Sequence, residues 1–98
     1  MTIDKAVNGS ELTITPVGRL DTTTAPMLEK EINESVEGVT KLIMDFAGVE
    51  YLSSAGLRVL LAAQKTMSKQ GSMVVRNVSE AVNDVFEVTG FSDILTIE

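Results

Sequence analysis

The chain is predicted to fold as one α/β domain over residues 1–98, with an N-terminal hairpin, a mixed sheet of about four to five strands and about three to four helices. Three observations lead there. Asn8-Gly9, a dipeptide favoured in tight turns, separates two strand-like runs. Beyond them, short apolar runs suited to strands buried on both faces alternate with stretches whose apolar residues recur at helical spacing. A chain of 98 residues, 44% of them hydrophobic and only two of them proline, is long enough for one core and too apolar for a disordered segment.

Thr2–Val7 and Glu11–Val17 are the hairpin strands. Leu12 and Ile14 alternate with Thr13 and Thr15, as on a half-buried strand. Pro16 has no N–H for a ladder, so an edge or a bulge is expected there. After Gly18-Arg19-Leu20-Asp21 and three threonines, Pro26 falls in the first turn of a helix, where proline is tolerated. Leu28, Ile32 and Val36 form its inner stripe, and Gly38 ends it. Leu42–Met44 reads as a buried strand with Asp45 at its carboxyl end. A short loop then leads to a helix beginning at Ser53 or Ser54. It carries Leu57, Leu60, Leu61 and Met67 inward, places Lys65 and Lys69 near its negative end, and stops at Gly71. Met73–Val75 is the next strand. Ser79 caps a third helix with Glu80 in its first turn and Val82, Val85 and Phe86 inward, and Gly90-Phe91 closes it. Ile94–Ile97 is expected to be a last strand.

Composition removes several function classes. There is no cysteine and no histidine, which excludes disulfides, thiolate metal sites, the Ser-His-Asp triad and a histidine general base. A serine hydrolase built on Ser54 would need Lys41, Lys65 or Lys69 as base, and the predicted elements put none of them beside it. The net charge is −6, from 14 acidic and 8 basic residues, and the bases are scattered. Nucleic acid is therefore not an expected partner. No apolar run has the length of a membrane span and the N-terminus has no signal-peptide pattern, so a cytoplasmic protein without membrane insertion is expected.

The stretch Asp45-Phe-Ala-Gly-Val-Glu-Tyr-Leu-Ser53-Ser54-Ala-Gly56-Leu-Arg58 holds the candidate site. A serine at a helix start either caps the unpaired N–H groups or, once phosphorylated, becomes an anion in a position that suits one. Gly56 is expected to let the helix start pack closely on the strand. Asp21 and Asp45 are candidate turn or cap acceptors. Tyr51 and Leu52 are either anchors for a partner or lids on the core. Arg19 reads as an ordinary surface charge.

Three blocks together resemble the STAS domain in its stand-alone form, the bacterial anti-sigma factor antagonist: Gly18-Arg-Leu-Asp-Thr22, Asp45 through Leu61, and Ser79-Glu-Ala-Val with Phe86 and Gly90-Phe91. The resemblance implies a regulated serine two positions before Gly56, which is Ser54. Ser53 stands where the family usually has aspartate, and is a rival phosphoacceptor. It also implies that Asp21 lies beside the serine loop. The partner surface would then comprise Asp21, Leu52, Ser53, Ser54, Gly56 and Arg58. The implied mechanism is partner switching. The unphosphorylated domain binds an anti-sigma factor that is also a serine kinase, freeing a sigma factor; phosphorylation ends the complex, and a PP2C-type phosphatase resets it. No cofactor and no catalytic residue of its own is implied. The alternative within the family is a non-switching STAS subunit of a lipid-transport ATPase or a stress-sensing complex. Arg58, four residues beyond Ser54 on the same helical face, is the expected partner of the phosphate.

Overall fold

A computed structural model describes all residues from Met1 to Glu98. Strands β1 (Thr2–Asn8) and β2 (Glu11–Leu20) form the hairpin, with Thr2 opposite Val17 and Asn8 opposite Glu11. The two turn residues are therefore Gly9 and Ser10, one step beyond the predicted pair, and Gly9 takes the positive φ of 63° that the turn needs. Helix α1 (Ala25–Ser35) crosses to β3 (Lys41–Asp45), and β4 (Gly48–Leu52) follows after two residues. Helix α2 (Ser54–Gln70) leads to β5 (Ser72–Arg76), and α3 (Glu80–Thr89) ends in a single 3-10 turn, Phe91–Asp93.

The sheet runs β1-β2-β3-β5, antiparallel in the hairpin and parallel elsewhere, with β4 paired to β2. Val17 already faces Thr2 on one side, so its pairing with Gly48 puts β4 on the same side of β2 as β3. In effect β4 continues the line of β3 after a bend at Asp45-Phe46-Ala47. The bend corrects the reading of Pro16. It lies on a central strand and not an edge, opposite Ile3 of β1 and, on its other side, at the gap between the Ile14–Met44 and Val17–Gly48 pairs; the irregularity expected at that end of β2 falls between Gly18 and Arg19. No residue of β3 or β4 pairs with it on that side, so no ladder bond is lost there.

The core is a cluster of 23 buried residues, and no polar or charged residue is buried with it. Leu28 and Ile32 of α1, Leu57, Leu60 and Met67 of α2, and Val82 and Phe86 of α3 lie in it as predicted, whereas Leu61, expected inward on α2, is only half-buried and lies outside it. Leu42, Ile43 and Met44 of β3 and Met73, Val74 and Val75 of β5 are all buried, as expected for strands covered on both faces. Ser79 caps α3 by accepting the Val82 N–H at 3.2 Å, and Gly90 closes it at a φ of 80°.

Three boundaries differ from expectation. Helix α1 ends at Ser35 with Val36 as its cap, before Gly38, because Val36 and Val39 both turn into the core. The loop expected before Ser53 contains β4. The expected last strand is reduced to one bridge between Val75 and Ile97, after Leu95 has turned inward to 5% exposure. The Arg76–Glu98 ion pair at 2.8 Å holds that tail against β5. No helix is long and apolar enough to cross a membrane.

Candidate functional site

The site lies at the carboxyl ends of β2 and β4. Leu20 and Leu52 close the parallel pairing, and the Ser53 N–H then donates to the Leu20 carbonyl at 2.9 Å. Ser53 keeps an extended backbone, so it becomes the N-cap of α2, and its Oγ accepts the Gly56 N–H at 3.5 Å. Ser54 is the first helical residue. It is exposed, and its hydroxyl has no hydrogen-bond partner within the chain. The two serines thus divide the readings weighed from sequence: Ser53 caps, and Ser54 faces outward.

Gly56 is buried beneath them. A Cβ built there would lie 2.6 Å from Leu52 Cδ1 and 2.7 Å from Leu20 Cγ, so its lack of a side chain brings α2 onto the ends of both strands. Leu52, at 5% exposure, is part of the core, whereas Tyr51 is 43% exposed. Of the two apolar residues in this segment, only Tyr51 presents a substantial surface. Leu52 and Gly56 shape the site from below.

Asp21 turns the chain from β2 into α1. Its Oδ1 accepts the Thr23 N–H at 3.0 Å and the Thr24 N–H at 3.1 Å. The Thr24 hydroxyl lies 2.7 Å from the Arg19 carbonyl and 3.2 Å from the same carboxylate oxygen. The Thr24 N–H above all, then the Thr23 N–H, the Thr24 hydroxyl and the Arg19 charge, hold the Asp21 carboxyl below its ordinary range against partial desolvation. Asp45 serves structure, accepting the Ala47 N–H and the Asn77 side-chain amide, each at 3.1 Å.

Arg58 is exposed and unpaired, and it lines an open cavity of about 230 Å³ between the first turns of α1 and α2, with Thr22, Pro26, Glu29 and Ala55. Arg19 and Tyr51 were not joined by the sequence. A bulge on β4 at Glu50 sets Gly18 opposite Val49 but Arg19 opposite Tyr51, and the guanidinium lies 4.1 Å from the ring centroid. Arg19 Nε is also 3.8 Å from Asp21 Oδ2. Only the register brings these residues together, and the sole signal in the sequence was the position of Tyr51 close to the serines.

A hydroxyl at a helix start, an arginine one turn on and a polar turn beside it thus meet at one end of a small α/β domain. The hydroxyl has no base in hydrogen-bond contact. The chain belongs to the STAS domain family, whose profile matches residues 2–98. It is 30% identical over 96 residues to the anti-sigma-B factor antagonist of Bacillus subtilis, covering 97% of this chain and 88% of that protein. The crystal structure of an anti-sigma factor antagonist from Mycobacterium paratuberculosis superposes with a TM-score of 0.89 at 26% identity, covering 98% of this chain and 83% of the other. The same fold recurs in the Bacillus antagonist SpoIIAA. Its unphosphorylated form has a TM-score of 0.77 at 18% identity, covering 99% of this chain and 87% of the other. Its phosphorylated form has a TM-score of 0.76 at 19% identity, covering 99% and 91%.

Proposed function

We propose that this protein is an anti-sigma factor antagonist switched by phosphorylation at Ser54. In its unphosphorylated form it binds an anti-sigma factor of the serine-kinase type, and the sigma factor is freed. Phosphate on Ser54 ends that complex, and a PP2C-type phosphatase restores it. The domain is a binding module, with no chemistry and no cofactor of its own; ATP and magnesium belong to the kinase.

The observation that carries this reading is the outward, unpartnered Ser54 hydroxyl on the first residue of α2, with Ser53 already doing the capping. A serine spent on the cap would be a poor acceptor, because its hydroxyl would be turned into the helix. Asp21, Ser53 and Arg58 surround Ser54 in this reading as the partner surface, with Leu52 and Gly56 beneath. Phosphorylation adds about −1.5 to −2 charges. At a contact surface that is disruptive through repulsion and desolvation, while within the protein the same charge sits favourably at the positive end of α2. The anti-sigma-B factor antagonist relative supports the choice of partner.

The test is intact mass after incubation with ATP and each anti-sigma kinase of the source genome, with Ser54→Ala and Ser53→Ala alongside. A single added phosphate that disappears only in Ser54→Ala is expected. Loss only in Ser53→Ala moves the switch by one residue. No phosphate from any kinase overturns the switch in favour of a non-switching subunit of a transport ATPase or stress-sensing complex.

A further inference from the structure

The Arg19–Tyr51 pair has features that neither fold maintenance nor the serine switch requires. Both side chains are exposed, at 60% for the Arg19 side chain and 43% for Tyr51. The guanidinium makes two contacts: its carbon lies over the ring, 4.1 Å from the centroid, and Nε lies 3.8 Å from Asp21 Oδ2. Neither contact uses the two terminal nitrogens, and no hydrogen bond within the chain involves them. A guanidinium stacked on a ring keeps its edge N–H groups free in a rigid fork that matches a carboxylate bidentately. Ordering is done before binding, so little side-chain entropy is left to lose on contact. Arginine and tyrosine are also the residue types that dominate binding energy in protein interfaces.

Resting on the proposed function, we propose that Arg19, held by Tyr51 and Asp21, is a preorganised receptor for a carboxylate side chain of the anti-sigma kinase. Charge complementarity selects this occupant. In a chain of net charge −6, Arg19 brings a cation to the end of β2, where Asp21 leads into the site. The Glu50 bulge is then a specificity device, since a regular ladder would not set Tyr51 opposite Arg19.

The experiment is calorimetric titration of the unphosphorylated protein against the purified anti-sigma kinase identified by mass, with thermal melts of every variant as a folding check. Arg19→Glu is expected to weaken binding about 100-fold, and Arg19→Lys and Tyr51→Leu about 5- to 10-fold each, with the melts unchanged. Changing the responsible kinase carboxylate to arginine is expected to restore binding to Arg19→Glu, which a merely structural role for Arg19 would not allow. Should Arg19→Glu and Tyr51→Leu bind like wild type while Ser54→Glu does not bind, the receptor is overturned and the switch stands. Arg19→Lys binding as tightly as wild type overturns the fork. A wild-type protein that binds no kinase overturns both proposals.

Discussion

Ser53 and Ser54 are chemically identical neighbours, and the backbone separates their roles by one residue of helical phase. The extended ψ of 175° at Ser53 turns its Oγ back toward the Gly56 N–H, whereas Ser54 is already helical and exposed. Stability measurements should distinguish them without any partner. Ser53→Ala is expected to cost about 0.5–1 kcal/mol, the lower part of the capping range because the bond is long. Ser54→Ala should lie within about 0.5 kcal/mol of wild type, as at an ordinary surface position. Equal losses in urea melts would contradict the division of roles. Asp21 gives a pH signature of its own. Its carboxyl is held low chiefly by the Thr24 N–H, so the charged form is preferred in the folded state. A depressed folded value contributes stability that is present above the unfolded value and is lost as pH falls through the folded one. The Asp21 contribution should therefore fade below about pH 4, the range where free aspartate titrates. Asp21→Asn keeps an acceptor for the Thr23 and Thr24 N–H groups but cannot titrate, so its melting temperature should fall less steeply on acidification than that of wild type.

Helix α2 is aimed by two glycines, one at each end. At Gly56 a methyl group would press into Leu52 and Leu20, and those buried leucines have little room to yield. Gly56→Ala is expected to cost about 1–3 kcal/mol, as overpacking does. It should also weaken partner binding beyond what stability explains, because the start of α2 carries both Ser54 and Arg58. Gly71 is more demanding: a Cβ there would overlap the backbone carbonyl of Thr40, which accepts the Ser72 N–H at 2.9 Å. Backbone cannot step aside as a side-chain tip can, so Gly71→Ala should lower the urea midpoint more than Gly56→Ala. The helices were readable in advance because each declares itself through a stripe of apolar residues, Leu28 and Ile32, Leu57 and Leu60, Val82 and Phe86, and the last two also through a serine cap. Strand β4 was not, for a physical reason. Its buried residues are Val49 and Leu52, three apart, and the extra residue Glu50 breaks the two-residue period by which a strand is recognised. Ile94–Ile97 failed in the opposite sense. Its apolar residues suggested a ladder, but Leu95 serves the core and only Ile97 bridges to β5. The site was readable as far as the serine segment and Asp21, which lie in local motifs. Arg19 with Tyr51 was not, since 32 positions of sequence separate them and strand register alone joins them.

The whole domain places its site on a rigid end. Strands β2 and β4 terminate there against α2, and the core beneath contains no buried polar residue whose ionisation could loosen it. A charge added at Ser54 therefore acts on the surface and leaves the core packing intact. Inside the protein its immediate surroundings favour an anion: the unpaired N–H groups and positive dipole of the first turn of α2, and Arg58 one turn further on. Exposed charge–dipole interactions of this kind contribute about 0.3–1 kcal/mol. In a domain of this size about 1 kcal/mol corresponds to about 4–8 °C in melting temperature. The phosphorylated protein should accordingly keep the far-ultraviolet circular dichroism of the unmodified form and melt a few degrees higher. The overall charge of −6 opposes the gain, and added salt should screen both effects. Arg58→Ala separates local from global contributions, because it removes the nearest countercharge while leaving the helix dipole in place. Its phosphorylated form should recover only part of the rise. A loss of helical signal, or a melting temperature that falls on phosphorylation, would mean that the phosphate works by loosening α2. The switch would then be a conformational one instead of a blocked contact surface.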